Sequence, residues 1–343
     1  MTTTLPSVFQ KYRIMLNSAM RAQLSTRGLA VYRMLEYSMG WADVEGQPVD
    51  AVSGKALRPT LCLLACEAAG GDPENALPAA VSLELIHHFS LIHDDIQDRD
   101  ETRHHRRTLW AVWGEPKAIV AGNTLRVIAD RSLWDLIERG VPYRSVVTAA
   151  DLLTEAYLQM IEGQYLDLSF EGRPDITLDE YLTMISCKTG ALIRCSMNLG
   201  AVIGSGAGEA VEAFRECGRS LGFVFQIRDD ILGIWGDQKA TGKPVGADIV
   251  RKKNSLPIVY SMSKAGGVDR AELQAIYRKA SPDGRDVETV LDIMDTLGAR
   301  AYAQGLASAH CTRALETLEA IDVPRESRAH IEEIARFLLV REH

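Results

Sequence analysis

The sequence predicts an all-α protein built as one large helical bundle. Apolar residues recur at spacings of three and four along most of the chain, strand-like alternation is scarce, and Gly- and Pro-rich clusters fall where the periodic segments stop. The 343 residues would fill one large domain or two ordinary ones at about 150 residues each. Neither a linker nor a fixed-period repeat interrupts them, so a single domain over 1–343 is expected.

Taken in order, the helix expected over Leu57–Ala69 precedes a longer one from Leu77, in which Val81, Leu85, Phe89, Ile92 and Ile96 share one stripe. Further helices are expected over Ser145–Leu168, Leu178–Ile203, Glu209–Ile234, Ser255–Lys264 and Asp286–Leu318. The clusters Gly70-Gly71-Asp72-Pro73, Gly114-Glu115-Pro116, Gly172-Arg173-Pro174-Asp175 and Ser281-Pro282-Asp283-Gly284 are short enough to join neighbouring helices.

Composition bounds the function. With 46% apolar and 24% charged residues, disorder and fibres are excluded. Lys and Arg number 38 against 46 Asp and Glu, a net charge of -8, which argues against a nucleic-acid or anionic-membrane footprint. Cys62, Cys66, Cys187, Cys195, Cys217 and Cys311 form no C-x-x-C pair and read as small buried hydrophobes of a reducing cytoplasm. Residues Met1 to Gln10 lack a signal-peptide pattern, and no apolar stretch reaches the roughly 18 residues of a membrane span, so a soluble cytoplasmic protein is expected.

Two acidic clusters break the amphipathic pattern. In Ser90-Leu91-Ile92-His93-Asp94-Asp95-Ile96-Gln97-Asp98, the carboxylates of Asp94 and Asp98 lie one helical turn apart, and His87 shares their face. Like charges at that spacing repel, and a divalent cation relieves them; carboxylates without nearby Cys suit Mg²⁺, which completes its shell with water and phosphate. The second cluster is Phe225-Gln226-Ile227-Arg228-Asp229-Asp230-Ile231-Leu232-Gly233, with Gln226, Asp229 and Asp230 on one stripe. A single acidic cluster is ordinarily a solvated face, whereas two set among apolar residues ask for another explanation. Arg103, Arg106 and Arg107 follow the first, and Lys239, Lys243, Arg251, Lys252 and Lys253 follow the second. Metal-binding acids beside cations are what a diphosphate requires.

These residues resemble the trans-isoprenyl diphosphate synthases, the polyprenyl synthetases, from about Gly54 to Pro257. Gly54-Lys55-Ala56-Leu57-Arg58-Pro59 resembles the family's G-K-x-x-R-P, Asp94 to Asp98 its first D-D-x-x-D, and Asp229-Asp230 its second aspartate motif. Gly163-Gln164 with Asp167, Lys188-Thr189, Gln226, Thr241-Gly242-Lys243 and Lys253-Asn254-Ser255-Leu256-Pro257 also fall in place. The resemblance implies an isoprenoid synthase fold around a deep central cavity, with the aspartate motifs facing each other across its mouth, and a homodimer. It implies that Asp94, Asp98 and Asp229 hold Mg²⁺, three ions with diphosphate bound, supported by Asp95 and Asp230. Arg103, Lys188, Gln226, Lys243 and Lys253 would bind the diphosphate of an allylic prenyl substrate. Lys55, Arg58, His87 and a second arginine after Arg103 would hold isopentenyl diphosphate. Phe89, five residues before Asp94, would close the chain tunnel at C20 length, although it also belongs to the apolar stripe.

Two departures direct the functional expectation: His104 stands where the family has the second arginine, and Asn123 follows Gly122 where Asp is usual, with Arg126 a turn further on. The second motif ends in Gly233, a variant that weighs little. An intact ionisation site beside a weakened isopentenyl site leads us to expect a Mg²⁺-dependent diterpene synthase acting on a C20 diphosphate supplied by a partner synthase or cyclase. The alternative is a geranylgeranyl diphosphate synthase, since Lys55, Arg58 and His87 remain. A non-catalytic regulatory subunit is disfavoured by the intact Asp94-Asp95-Asp98.

Overall fold

The computed structural model of the chain describes residues 5–24, 28–49, 54–104, 106–206, 208–237 and 244–342, and helix dominates them. Two compact units are present. One comprises Ser7–Thr154 with Cys195–Glu212, the other Glu155–Arg194 with Ala213–His343, and the boundaries fall inside helices α7, α9 and α10 defined below.

The first unit holds α1 (Val8–Leu24), α2 (Ala30–Ser38), α3 (Leu57–Ala68), α4 (Pro73–Gln97), α5 (Leu109–Trp113), α6 (Glu115–Trp134) and the start of α7 (Tyr143–Phe170). Every residue of α3 from Leu57 to Cys66 is buried. The turn cluster after it starts α4: the Asp72 carboxylate accepts from the Glu74 N–H at 2.9 Å, and Pro73 occupies a first-turn position that needs no donor. Small residues let α6 lie close to α4. Ala118, Ala121, Gly122 and Ala129 are buried on α6, the Ser82 hydroxyl donates to the Ala129 carbonyl at 2.7 Å, and the His93 ring occupies the space a side chain on Gly122 would need. Beyond α4 the chain reverses in a hairpin of β1 (Thr102–Arg103) and β2 (Arg106–Arg107), with Arg103 opposite Arg106. That register leaves a two-residue turn, in which His104 takes a φ of 49°.

The second unit continues α7 and adds α8 (Leu178–Ile185), a π-helical segment (Ser186–Gly190), the start of α9 (Ala191–Ser205) and most of α10 (Glu209–Trp235). After these come α11 (Ala247–Val250), α12 (Leu256–Lys264), α13 (Gly267–Arg278), α14 (Gly284–Thr296), α15 (Ala299–Glu319) and α16 (Arg325–Val340). A capping box between Thr177 and Glu180 starts α8. The single helix expected over Leu178–Ile203 is interrupted by the π turn. There a Cβ on Gly163 would meet Lys188 Cα at 2.6 Å, and one on Gly222 would meet Gly190 Cα at 2.8 Å, so the widened turn fits only between glycines. The helix expected over Asp286–Leu318 is two helices: Gly298 adopts φ 68° between them, a left-handed stop that apolar spacing alone does not reveal.

The six cysteines are free thiols, all buried except the half-buried Cys187. Among the described residues no helix is long and apolar enough to cross a membrane.

Glycines again set the approach of α9 to α3 in the first unit, where a Cβ on Gly200 would meet the Ala65 Cβ at 2.8 Å and the Cys66 nitrogen at 2.9 Å. Gly200→Ala should therefore destabilise the protein by about 1–3 kcal/mol in urea unfolding, because backbone must move to admit one methyl group.

Candidate active site

In the first unit the carboxylates of Asp94, Asp95 and Asp98 crowd the C-terminal end of α4, where Asp98 is the cap and the last turn contains no basic residue. The negative end of the helix dipole raises the cost of carboxylates there, so the cluster requires cations from elsewhere. Asp95 is buried and receives one from the hairpin: Arg103 Nε donates to its Oδ1 at 2.7 Å. Burial raises the Asp95 pKa, and the Arg103 guanidinium opposes that shift. Asp94 is half-buried and Asp98 exposed. Among the described residues no three His, Cys, Asp or Glu side chains form a closed cage, so an ion at Asp94 and Asp98 would draw the rest of its shell from water and phosphate. Carboxylate oxygens at the negative end of a helix fit Mg²⁺.

Arg58 and Arg103 both lie near His87. Burial holds the His87 ring well below its usual pKa, and the nearby charges of Arg58, His88 and Arg103 act in the same direction. His87 is therefore a neutral imidazole near pH 7. Arg58 is buried in the first turn of α3, which begins at Ala56 with φ 50°, and Lys55 is half-buried just before it. The G-K-x-x-R-P segment is thus a strained helix start that sets Arg58 near His87 and Arg103.

Neither later arginine of the hairpin replaces the one absent at His104. Arg106 donates to the Tyr37 carbonyl at 3.1 Å and the Ala42 carbonyl at 2.7 Å, with its guanidinium 4.2 Å from the Tyr37 ring centroid. Arg107 donates to the Ala111 carbonyl at 2.5 Å. His104 is exposed on the turn. Asn123 is exposed and lines a groove of about 450 Å³ with Gln23, Tyr32 and Val127, whereas Arg126 is paired with Asp130 one turn along α6. Phe89 is buried, edge-on to the His93 ring at 4.7 Å.

In the second unit the adjacent acids Asp229 and Asp230 divide their roles. Asp230 is buried and accepts from the Tyr181 hydroxyl, the Leu256 N–H at 2.8 Å and the Gln226 amide at 3.0 Å. The Gln226 carbonyl accepts in turn from the Thr189 hydroxyl at 2.6 Å, so its amide is engaged at both ends within the unit. Asp229 is partly exposed and paired with Arg341. Lys188, on the π turn, donates to Asp167 at 2.5 Å, and Lys253 is exposed. Lys243, like Lys239, Thr241 and Gly242, lies outside the described residues.

The sequence reasoning passed over two residues here. A Cβ on Gly233 would meet the Asp248 carboxyl carbon at 2.5 Å, so Asp248 brings a carboxylate beside the position where the second motif lacks one. Its signal was its place in the basic segment after the motif. Arg341, near the end of the sequence, gave no signal, since its partner is 112 residues away.

The fold is that of the isoprenoid synthases: the polyprenyl synthetase structure of Streptomyces coelicolor matches with a TM-score of 0.90 and 35% identity, covering 98% of this chain and 100% of that one. A (2E,6E)-farnesyl diphosphate synthase of Mycobacterium tuberculosis is 37% identical over 314 residues, 90% of this chain and 86% of its own length. A geranylgeranyl diphosphate synthase of the same species is 36% identical over 286 residues, 83% and 80% of the two chains. The polyprenyl synthetase model matches residues 47–294, and the chain belongs to that family, the trans-isoprenyl diphosphate synthases, a class of Mg²⁺-dependent trans-prenyltransferases.

Burial raises the Asp230 pKa to about 7 from 3.8, against the pull of its three hydrogen bonds. Between those values the native carboxyl keeps a proton that the unfolded chain has lost, so this group's contribution to stability falls as pH rises from about 4 to about 7 and then levels. Asp230→Asn should flatten that part of the profile, whatever its overall stability. Urea unfolding at several pH values without divalent cations measures it, and an unchanged profile would assign the dependence to another group.

Proposed function

We propose that the protein is a short-chain prenyl diphosphate synthase that joins isopentenyl diphosphate to an allylic diphosphate, with a C20 product. The observation that carries this reading is the retained Arg58 close to the neutral His87, a guanidinium group and a hydrogen-bonding ring suited to a second diphosphate, with the Arg103–Asp95 pair left for the first. The names of the relatives support it over the diterpene synthase that the motif departures first suggested.

In this reading Asp94, Asp98 and Asp229 hold Mg²⁺, three ions with substrate present, while Asp95 and Asp230 support them. Bound Mg²⁺ supplies charge that stabilises diphosphate as it leaves the allylic carbon. Arg103, Lys188, Lys243 and Lys253 bind the departing diphosphate; Gln226, engaged at both ends of its amide, positions Asp230. Lys55, Arg58 and His87 orient isopentenyl diphosphate, with His104 giving a weaker contact than an arginine fork. Apolar walls keep water from the reacting carbons. The outward apolar row Val120, Val127 and Trp134 on α6, with Tyr143 and Val147 opening α7, is the face we assign to a homodimer.

The diterpene synthase remains the second reading, favoured by one observation: Arg106 and Arg107 are both spent on carbonyls, so nothing on β2 restores the arginine absent at His104. Paired incubations separate the two. Label from isopentenyl diphosphate should enter a longer diphosphate when farnesyl diphosphate and Mg²⁺ are supplied, and Asp98→Ala should slow this by about 100- to 1,000-fold. Label confined to isopentenyl diphosphate at saturation, with a hydrocarbon formed from geranylgeranyl diphosphate alone, would reverse the assignment.

Phe89 gives a test of chain length. Phe89→Ala removes the ring that lies against His93, and the products should lengthen beyond C20 when resolved by chromatography. An unchanged distribution would make Phe89 a core residue only.

A further inference from the structure

The end of the chain is tied to the second aspartate pair. Arg341 is 7% exposed, and its guanidinium is paired with Asp229 Oδ1, donates to the Phe225 carbonyl at 3.2 Å and lies 4.4 Å from the Phe225 ring centroid. Arg228, one residue before Asp229, holds the same segment by its backbone: its Nε donates to the Arg341 carbonyl at 2.7 Å and a terminal nitrogen donates to the Val340 carbonyl at 3.4 Å. The Arg341 N–H closes the last turn of α16 on the Phe337 carbonyl at 2.8 Å.

We propose that Arg341 is a latch on the second aspartate motif, a positioning residue that neutralises Asp229 in the cation-free protein and must withdraw before a divalent cation takes that carboxylate. Asp229 keeps 41% of its side-chain surface, so a cation could reach its other oxygen without displacing the helix. It would then share one carboxylate with a guanidinium that is almost wholly buried. Two positive charges at that separation repel with little screening from water or salt. Cation and guanidinium therefore exclude each other, and the affinity for the cation is reduced by the fraction of molecules in which the latch is closed. Release is local. It requires the final turn of α16 to open and the two Arg228 contacts to break, while the apolar residues Ile331, Ile334 and Leu338 stay buried.

This inference rests on the proposal that Asp229 binds a cation, and the experiment separates the two. Mg²⁺ is titrated calorimetrically with inorganic diphosphate present into the full chain, Arg341→Gln and Asp229→Asn. Arg341→Gln should bind Mg²⁺ about tenfold more tightly, as for a latch closed in about nine molecules of ten, and Asp229→Asn should bind more weakly. Weaker binding in Asp229→Asn with unchanged or weaker binding in Arg341→Gln would overturn the latch alone; unchanged binding in Asp229→Asn would remove its premise. A second measurement uses the unaltered protein. Hydrogen exchange at the Arg341 amide should accelerate on adding Mg²⁺ and inorganic diphosphate, and unchanged or slower exchange would also overturn the latch.

Discussion

Neighbouring residues on a helix point about 100° apart, so an adjacent pair of aspartates can turn one carboxylate into the protein and leave the other closer to solvent, and Asp229 and Asp230, expected on one stripe, divide in this way. In both pairs of this chain one member is buried and the other only partly so. The rest of the site follows from the inward member, because a buried carboxylate must be neutralised or fully hydrogen-bonded. Asp95 meets that demand with a guanidinium from a hairpin. Asp230 meets it with a hydroxyl, an amide and a backbone N–H, and burial still leaves its pKa near 7. The two solutions differ electrically: the first puts a positive charge beside the motif, and the second keeps the motif's interior close to neutral.

Each solution requires particular backbone around it. Arg103 can reach Asp95 because the chain turns back just beyond α4, where Arg99 takes φ 57° and the Asp100 N–H donates to the Asp95 carbonyl at 3.0 Å. The Leu256 N–H is available to Asp230 because it opens α12, where first-turn donors have no helical acceptor. Thr189 reaches Gln226 from a π turn, and that turn fits against α7 and α10 only where Gly163 and Gly222 remove side chains. Lys188 lies on the same turn and pairs with Asp167 on α7. The glycines therefore act on the site through backbone spacing, with no chemistry of their own.

The helical class and most helix positions were legible in the sequence, because burying one face of a helix imposes a spacing of three and four. The aspartate pairs were legible too, since acids inside apolar runs contradict that spacing. Two kinds of feature escaped. One was a change of helix type or direction that leaves apolar spacing intact, as at Ser186–Gly190 and Gly298. The other was pairing between distant positions. Asp229 with Arg341 and Gly233 with Asp248 are properties of packing that no local pattern encodes.

Such pairings change how the motif departures should be weighed. Read as a letter, Asn123 suggests erosion of the site, while Gly233 weighs little. Asn123, however, faces a groove beside α1 and α2, and Arg126 is balanced by Asp130 on its own helix. At Gly233 the Asp248 carboxylate lies where a side chain would begin, so negative charge near α10 is supplied from another element. Gly233 and Asp248 are thus one feature divided between two places in the chain. His104 is different in kind. It sits on a turn whose flanking arginines are committed to Asp95 and to main-chain carbonyls. The change at His104 removes a guanidinium that neither Arg106 nor Arg107 replaces, so functional divergence of this chain is best sought at that turn.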